Sequence, residues 1–278
     1  MKFTIGFSPC PNDTFIFDAL INNKIDTEGF EFDAVLEDVQ TLNKWAINQK
    51  LDISKISYGV LPLVTQNYTL LSSGGALGKG VGPLLIAKRE INDLAATLPN
   101  LNIVIPGENT TAHLLFSYAF PHAYNKRFAV FNQIEDEVLQ GKADAGVIIH
   151  ENRFTYQDRG LVKLMDLGQY WEEKTGAPIP LGGIIVRKEF DQNTRLKLDR
   201  LIRQSVEYSF KNYPAISNYV SSHSQEMSEE VMRKHIDLYV NHFSLHLGNE
   251  GKTAVQTFMQ IYSQLNNITL SSQNIFSK

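Results

Sequence analysis

A two-lobed α/β fold is the architecture this sequence predicts, and three observations carry it. Strands alternate with helices through the first two thirds of the chain, which implies sheets built largely from parallel strands. Two similar glycine-led apolar segments, Gly82 to Glu90 and Gly182 to Phe190, bracket the middle third. The length, 278 residues, exceeds what one simple core usually organises.

The elements follow in order. Lys2 to Phe7 is a short apolar strand, leading into a polar turn through Pro9, Cys10 and Pro11. Asp13 is placed to cap a helix that runs to Asn22. Phe30 to Leu36 alternates as a strand does, and Asp38 then opens a helix through Trp45 and Ile47. Leu51 to Ile56 is the third strand, with Ser57 as N-cap of a helix containing Leu61 and Val64. In the middle third, Asn102 to Ile105 reads as a strand and Thr110-Thr111-Ala112 as the start of a helix. Phe128 to Phe131 is another strand, and Glu135 to Gln140 a helix stopped by Gly141. Asp144 to His150 is a buried strand ending on a histidine. From Asn193 onward the pattern is helical, broken at Tyr213-Pro214 and Leu247-Gly248.

The glycine-led segments, taken as two crossing strands around an inserted unit, describe a lobe carried on a hinge. They divide the chain at 88 and 185. Residues 1–87 and the mostly helical 186–278 form a large lobe, and 88–185 an inserted small lobe. Ligands of open α/β sheets bind beyond the carboxyl ends of the strands, so in a two-lobed version those ends face a shared cleft.

The composition, 43% hydrophobic and 20% charged, is that of a folded globular protein. A net charge of −4 offers no basic face for phosphates, which argues against nucleic acid. No stretch approaches the roughly 20 apolar residues that span a bilayer, so no membrane partner is expected. The first residues carry no export signal, and the lone Cys10 excludes an intrachain disulfide and suits a reducing compartment. The expected location is cytoplasmic.

Three segments sit where strands hand over to helices: Ser8 to Thr14, Lys55 to Ser57, and Asn109 to Ala112. Unpaired N–H groups and the helix dipole make such places bind carboxylate or phosphate, although any one Ser, Thr or Asp there can equally be a simple cap. His150 closes the apolar run Val147-Ile148-Ile149. An imidazole is a common general acid or base, and at a strand end it is also a common structural hydrogen-bonder.

Other constellations fail. In Ser73 to Gly80 a serine replaces the first phosphate-loop glycine and a glycine replaces the closing Ser/Thr. His242 and His246 have helical metal spacing but no evident third ligand. No Gly-x-Ser-x-Gly elbow occurs. Cys10 could be a thiolate nucleophile beside a helix N-terminus or a small packed thiol.

Ser8-Pro9-Cys10-Pro11-Asn12-Asp13-Thr14-Phe15 and Ile149-His150-Glu151-Asn152-Arg153-Phe154-Thr155 carry a specific resemblance. Lys55-Ile56-Ser57-Tyr58-Gly59, Gly82-Pro83-Leu84, Asn109-Thr110-Thr111-Ala112 and Leu181-Gly182-Gly183 fit the same family in order, the threonine pair alone being a weak signal. The sequence resembles the 1,4-dihydroxy-6-naphthoate synthase family of the futalosine route to menaquinone (menaquinone biosynthetic enzyme D). The resemblance implies a fold like type II periplasmic solute-binding proteins. It also implies cleavage of cyclic dehypoxanthinyl futalosine to 1,4-dihydroxy-6-naphthoate, with release of a three-carbon fragment, dihydroxyacetone, and without a cofactor. His150 matches the family's proton acceptor. Lys55, Ile56, Ser57, Thr110, Thr111 and Ala112 match its substrate-contacting positions. The expected partner is thus a small-molecule carboxylate. Two rival readings stay open: a chorismate dehydratase of the same pathway and fold, and a non-catalytic small-anion-binding protein, the default for the fold alone.

Overall fold

The computed structural model describes residues 1–150, 152–224, 228–270 and 275–277; Glu151 of the histidine string lies outside them. Eleven strands are formed among the described residues, divided between two sheets. The first holds β1 (Lys2–Phe7), β2 (Glu31–Leu36), β3 (Ile53–Ser57), β4 (Tyr68–Leu70), β5 (Ala76–Gly78) and β11 (Ile179–Arg187), in the order β2-β1-β3-β11-β4 with β5 paired to β11. The second holds β6 (Leu84–Ala87), β7 (Ile103–Ile105), β8 (Lys126–Phe128), β9 (Ala145–Ile148) and β10 (Val162–Asp166), in the order β10-β6-β9-β7-β8.

Both sheets are mixed rather than largely parallel. β1 runs parallel to β2 and β3, and β7 parallel to β8 and β9. The exceptions are the strands that follow the two crossings between lobes. β6 is antiparallel to β9 and β10, and β11 is antiparallel to β3, β4 and β5. Each enters its sheet from the other lobe and so runs against its neighbours.

This changes the expected boundaries. Leu84 pairs with Ile148, which puts the first glycine-led strand wholly in the second sheet. Ile185 pairs with Ser54 and Leu70, which puts the other wholly in the first. The chain therefore crosses at 79–83 and 176–178, ahead of the strands, and not at 88 and 185. The first crossing lies backbone to backbone on the helix Leu167–Thr175: a Cβ at Gly82 would stand 2.2 Å from the Gly168 Cα.

Local chemistry explains most helices. Asp38 caps Val39–Ile47 by accepting from the N–H groups of Gln40 and Thr41. The first helix, Pro11–Ile21, starts three residues earlier than expected, with Cys10 and not Asp13 at its N-cap. Pro11 occupies its first position, where a missing N–H costs nothing, and Asp13 lies inside the first turn instead of capping. Ser57 precedes a 3₁₀ turn, Tyr58–Val60, without capping it. The apolar run Phe128–Phe131 is not a strand throughout: β8 ends at Phe128 and Phe131 begins a 3₁₀ turn. The tail is helical as expected, in five pieces among the described residues (Gln192–Asn212, Asn218–His223, Glu229–Tyr239, His242–Leu245 and Gly248–Asn266).

Two large apolar cores position the site. One lies between the first sheet and the helices Pro11–Ile21 and Gln192–Asn212, with Phe7, Phe17, Ile184 and Ile202 buried in it. The Ser205 and Ser209 hydroxyls donate to the carbonyls of Ile16 and Phe15 (2.6 and 2.7 Å), which fixes the first helix on its neighbour. The other core runs through both lobes, joining Tyr58 and Leu70 of the first to Leu85 and Val147 of the second. Phe258 of the last long helix sits in it, its ring 6.3 Å from that of Tyr58 and 5.9 Å from that of Trp171.

Candidate active site

The cleft between the sheets is lined by all three strand-to-helix segments and by His150. It holds about 720 Å³, part of it continuous with solvent. Lys55, Ile56 and Ser57 reach it from the end of β3, and Thr110, Thr111 and Ala112 from the N-cap and first turn of the helix Thr111–Ala119 that follows β7. The two groups come from different lobes and touch. The Thr111 N–H donates to the Ser57 Oγ at 2.7 Å, and the Ser57 hydroxyl lies 3.2 Å from the Thr111 Oγ1. Thr111 in turn donates to the carbonyls of Pro180 and Leu181, at 3.1 and 3.0 Å. Asn43 bridges the same seam, accepting from the Ser57 N–H and donating to the Asn109 carbonyl.

The roles of these hydroxyls differ from simple capping. Ser57 contributes its side chain to the seam between lobes. Thr110 does cap its helix, Thr111–Ala119, by accepting from the His113 N–H, and donates to the Gly107 carbonyl. The cap and the Ser57 bond take the His113 and Thr111 amides. Ala112, next in the helix, lines the cleft, and among the described residues its N–H is the first-turn amide that these bonds do not take. Ile56 packs its side chain into the core shared by the lobes.

The opening segment behaves otherwise. Asp13, inside the first turn of its helix, turns its carboxylate to side chains and the Ser8 amide, not to the helix-end N–H groups. Its carboxylate accepts from the Ser8 N–H and hydroxyl (3.2 and 2.8 Å), from the Asn12 amide (2.8 Å), and pairs with the Lys55 ammonium at 3.1 Å. Lys55 also donates to the Gly74 carbonyl at 2.8 Å. The result is a buried polar wall, with the Asn12 Oδ1 left without a partner among the described residues. A lysine in the otherwise buried strand Ile53–Ser57 was the signal for such an ion pair, since a buried ammonium requires a carboxylate. Cys10 supplies the backbone N-cap and does not line the cleft.

His150 stands two residues beyond β9 in a left-handed backbone conformation, φ +58°. Its ring meets Phe131 edge-on at 5.0 Å and lies nearly parallel to the ring of His235 at 6.0 Å. His235 is fully buried, and burial together with the nearby His150 pushes its pKa well below the usual histidine range. Sequence reasoning missed it. Arg153 does not face the ligand space: its guanidinium donates to the Gly82 carbonyl and lies 3.8 Å from the Asp166 carboxylate, tying the histidine segment to the first crossing. Away from the cleft, His246 accepts from the Gly248 N–H and His242 lies on Phe243. Among the described residues no group of three or more histidine, cysteine or acidic side chains could hold a metal, and no helix is long and apolar enough to cross a membrane.

A family model described as menaquinone biosynthesis matches residues 3–264. The chain belongs to the menaquinone biosynthesis family. Within that family it is 43% identical over 251 residues to a 1,4-dihydroxy-6-naphthoate synthase of Thermus thermophilus, covering 90% of both chains. It is 40% identical over 257 residues to one of Streptomyces coelicolor, covering 91% of this chain and 89% of that one. The fold, in turn, is that of a ligand-binding component of an ABC-type import system from Staphylococcus aureus, with a TM-score of 0.72 at 11% identity over 100% of this chain and 96% of that one. The menaquinone biosynthesis family thus uses the two-lobed architecture of solute-binding proteins, as the resemblance in the sequence implied.

Proposed function

We propose that this chain is a cytoplasmic 1,4-dihydroxy-6-naphthoate synthase. It would convert cyclic dehypoxanthinyl futalosine to 1,4-dihydroxy-6-naphthoate and release dihydroxyacetone. The observation that supports the reading is that His150 lines the same cleft as Lys55 and Ser57, in a chain 43% identical to a synthase over 90% of its length. A binding protein needs only the anion-holding donors, whereas the elimination also needs a base.

The chemistry follows from the residues. The Ala112 N–H, at the positive end of its helix, and the Ser57 hydroxyl hold the substrate carboxylate. His150, as neutral imidazole, removes a proton from the bound substrate and starts an elimination with carbon–carbon cleavage. Departure of the three-carbon fragment lets the ring aromatise, which draws the later steps forward. Because the holding groups come from both lobes, the site is complete only where the lobes meet, and water is kept from the reacting carbons.

Incubation of the protein with cyclic dehypoxanthinyl futalosine, followed by chromatography, tests the reading. The wild type should yield 1,4-dihydroxy-6-naphthoate, and His150→Ala should lose at least about a hundredfold in kcat. Near-normal turnover in a folded His150→Ala would remove the base role. Turnover of chorismate, or saturable binding without product, would replace the assignment.

A further inference from the structure

His235 lies within the helix Glu229–Tyr239, which packs on the helix Pro11–Ile21 and on β5 and so belongs to the first lobe. It has no exposed surface, and among the described residues neither of its ring nitrogens has a hydrogen-bond partner. Burying both polar atoms of an imidazole unpaired is costly, and leucine or phenylalanine would fill the space without that cost. What the ring meets is His150, which comes from the other lobe: the centroids are 6.0 Å apart and the planes differ by 18°. Tyr239, one turn along, packs its ring 4.7 Å from that of His235 and lines the cleft.

We propose that His235 is a positioning residue for His150, bracing the imidazole from the opposite lobe in the orientation that takes the substrate proton. The inference rests on the reading of His150 as the base. Within its own lobe, His150 is restrained by its left-handed backbone and by the edge contact of Phe131. The His235 ring of the other lobe lies nearly parallel to it with centroids 6.0 Å apart, so the base sits where the lobes meet. The brace has to be flat and uncharged, because His150 becomes a cation when it accepts the proton and a facing cation would oppose that step. His235 meets both requirements: burial keeps it neutral, and an aromatic face tolerates a neighbouring cation.

Steady-state kinetics of the full chain as wild type, His235→Ala and His235→Phe test this, with a melting curve for each. Removing the brace should lower kcat by about ten- to a hundredfold while KM changes less than about threefold, since the binding groups lie elsewhere. His235→Phe, flat and uncharged, should return kcat to within about threefold of wild type. The Cε1–H resonance of His150 gives a second readout, independent of turnover. It should carry a ring-current shift in the wild type and in His235→Phe that disappears in His235→Ala. If the alanine variant does not fold, His235→Leu fills the volume without a ring and takes its place. A wild-type kcat in the ringless variant, or a phenylalanine variant as slow as it, overturns the proposal. A wild type that makes no product sinks the assigned reaction instead. The resonance then decides the brace alone, and one that is unchanged in the ringless variant overturns it.

Discussion

Lys55 and Asp13 show how a single pair of residues can shape the cleft and stake the stability of the protein on it. Their side chains are only 5% and 4% exposed, yet both are charged and meet at 3.1 Å. Taking two charges out of water is repaid only if every remaining polar atom finds a partner, and here most do: Ser8 and Asn12 satisfy the carboxylate and the Gly74 carbonyl the ammonium. Removing one member leaves the other as an uncompensated buried charge. Lys55→Met should therefore cost about 3–5 kcal/mol in urea unfolding. The double variant Asp13→Asn/Lys55→Met, with no net charge left behind, should recover part of that loss. A single variant within about 1 kcal/mol of wild type would mean that the pair is hydrated and contributes little.

At the level of elements, the turn after β3 and the start of the helix Thr111–Ala119 form the joint on which the site depends. A Cβ at Gly59 would stand 2.4 Å from the Thr110 carbonyl carbon, a contact with backbone that cannot swing aside. Gly59→Ala should push the helix start away and strain the Thr111–Ser57 hydrogen bond. The expected result is a stability loss of about 1–3 kcal/mol and a raised KM, with kcat less affected. A variant with both values unchanged would show that the joint yields freely. The joint also marks the limit of what the sequence reveals. β1 and the Asp38-capped helix were legible, because alternation and capping are decided by neighbouring residues. That Lys55 to Ser57, Thr110 to Ala112 and His150 share one cleft was legible too. The crossing points were not, since the sheet that β6 or β11 joins is settled by partners dozens of residues away. His235 left a fainter trace. Met232, His235, Ile236 and Tyr239 recur at helical spacing, so a polar ring stood on the buried stripe, and only the fold shows what it faces.

Over the whole molecule, a core common to both lobes makes the cleft part of one cooperative structure, and buried histidines tie that structure to pH. His113, in the second lobe, is pushed down to about 4, chiefly by burial, against a weaker opposing effect of its bond to the Glu108 carbonyl. His235, in the first lobe, is held well below the usual range by burial and by His150. Both stay neutral in the folded protein at pH values where the unfolded chain, with histidines titrating near 6.5, already binds protons. The unfolded state thus carries more protons, and stability rises with pH across this window. The contribution is fully present above about pH 6.5 and drains away as the pH falls below it, each histidine removing up to about 1.4 kcal/mol per pH unit. For His113 the loss levels off near pH 4. Asp199 acts in the opposite sense at the acid end, because burial raises its carboxyl and the folded state takes its proton first. Urea midpoints measured between about pH 7 and 5.5 isolate the histidines from it, and they should fall steadily with acid. In His235→Phe the slope should drop by about half, one of the two protons having been removed from the balance. A flat wild-type profile across that window would show that these imidazoles gain protons without unfolding, and that the two lobes open locally to let them in.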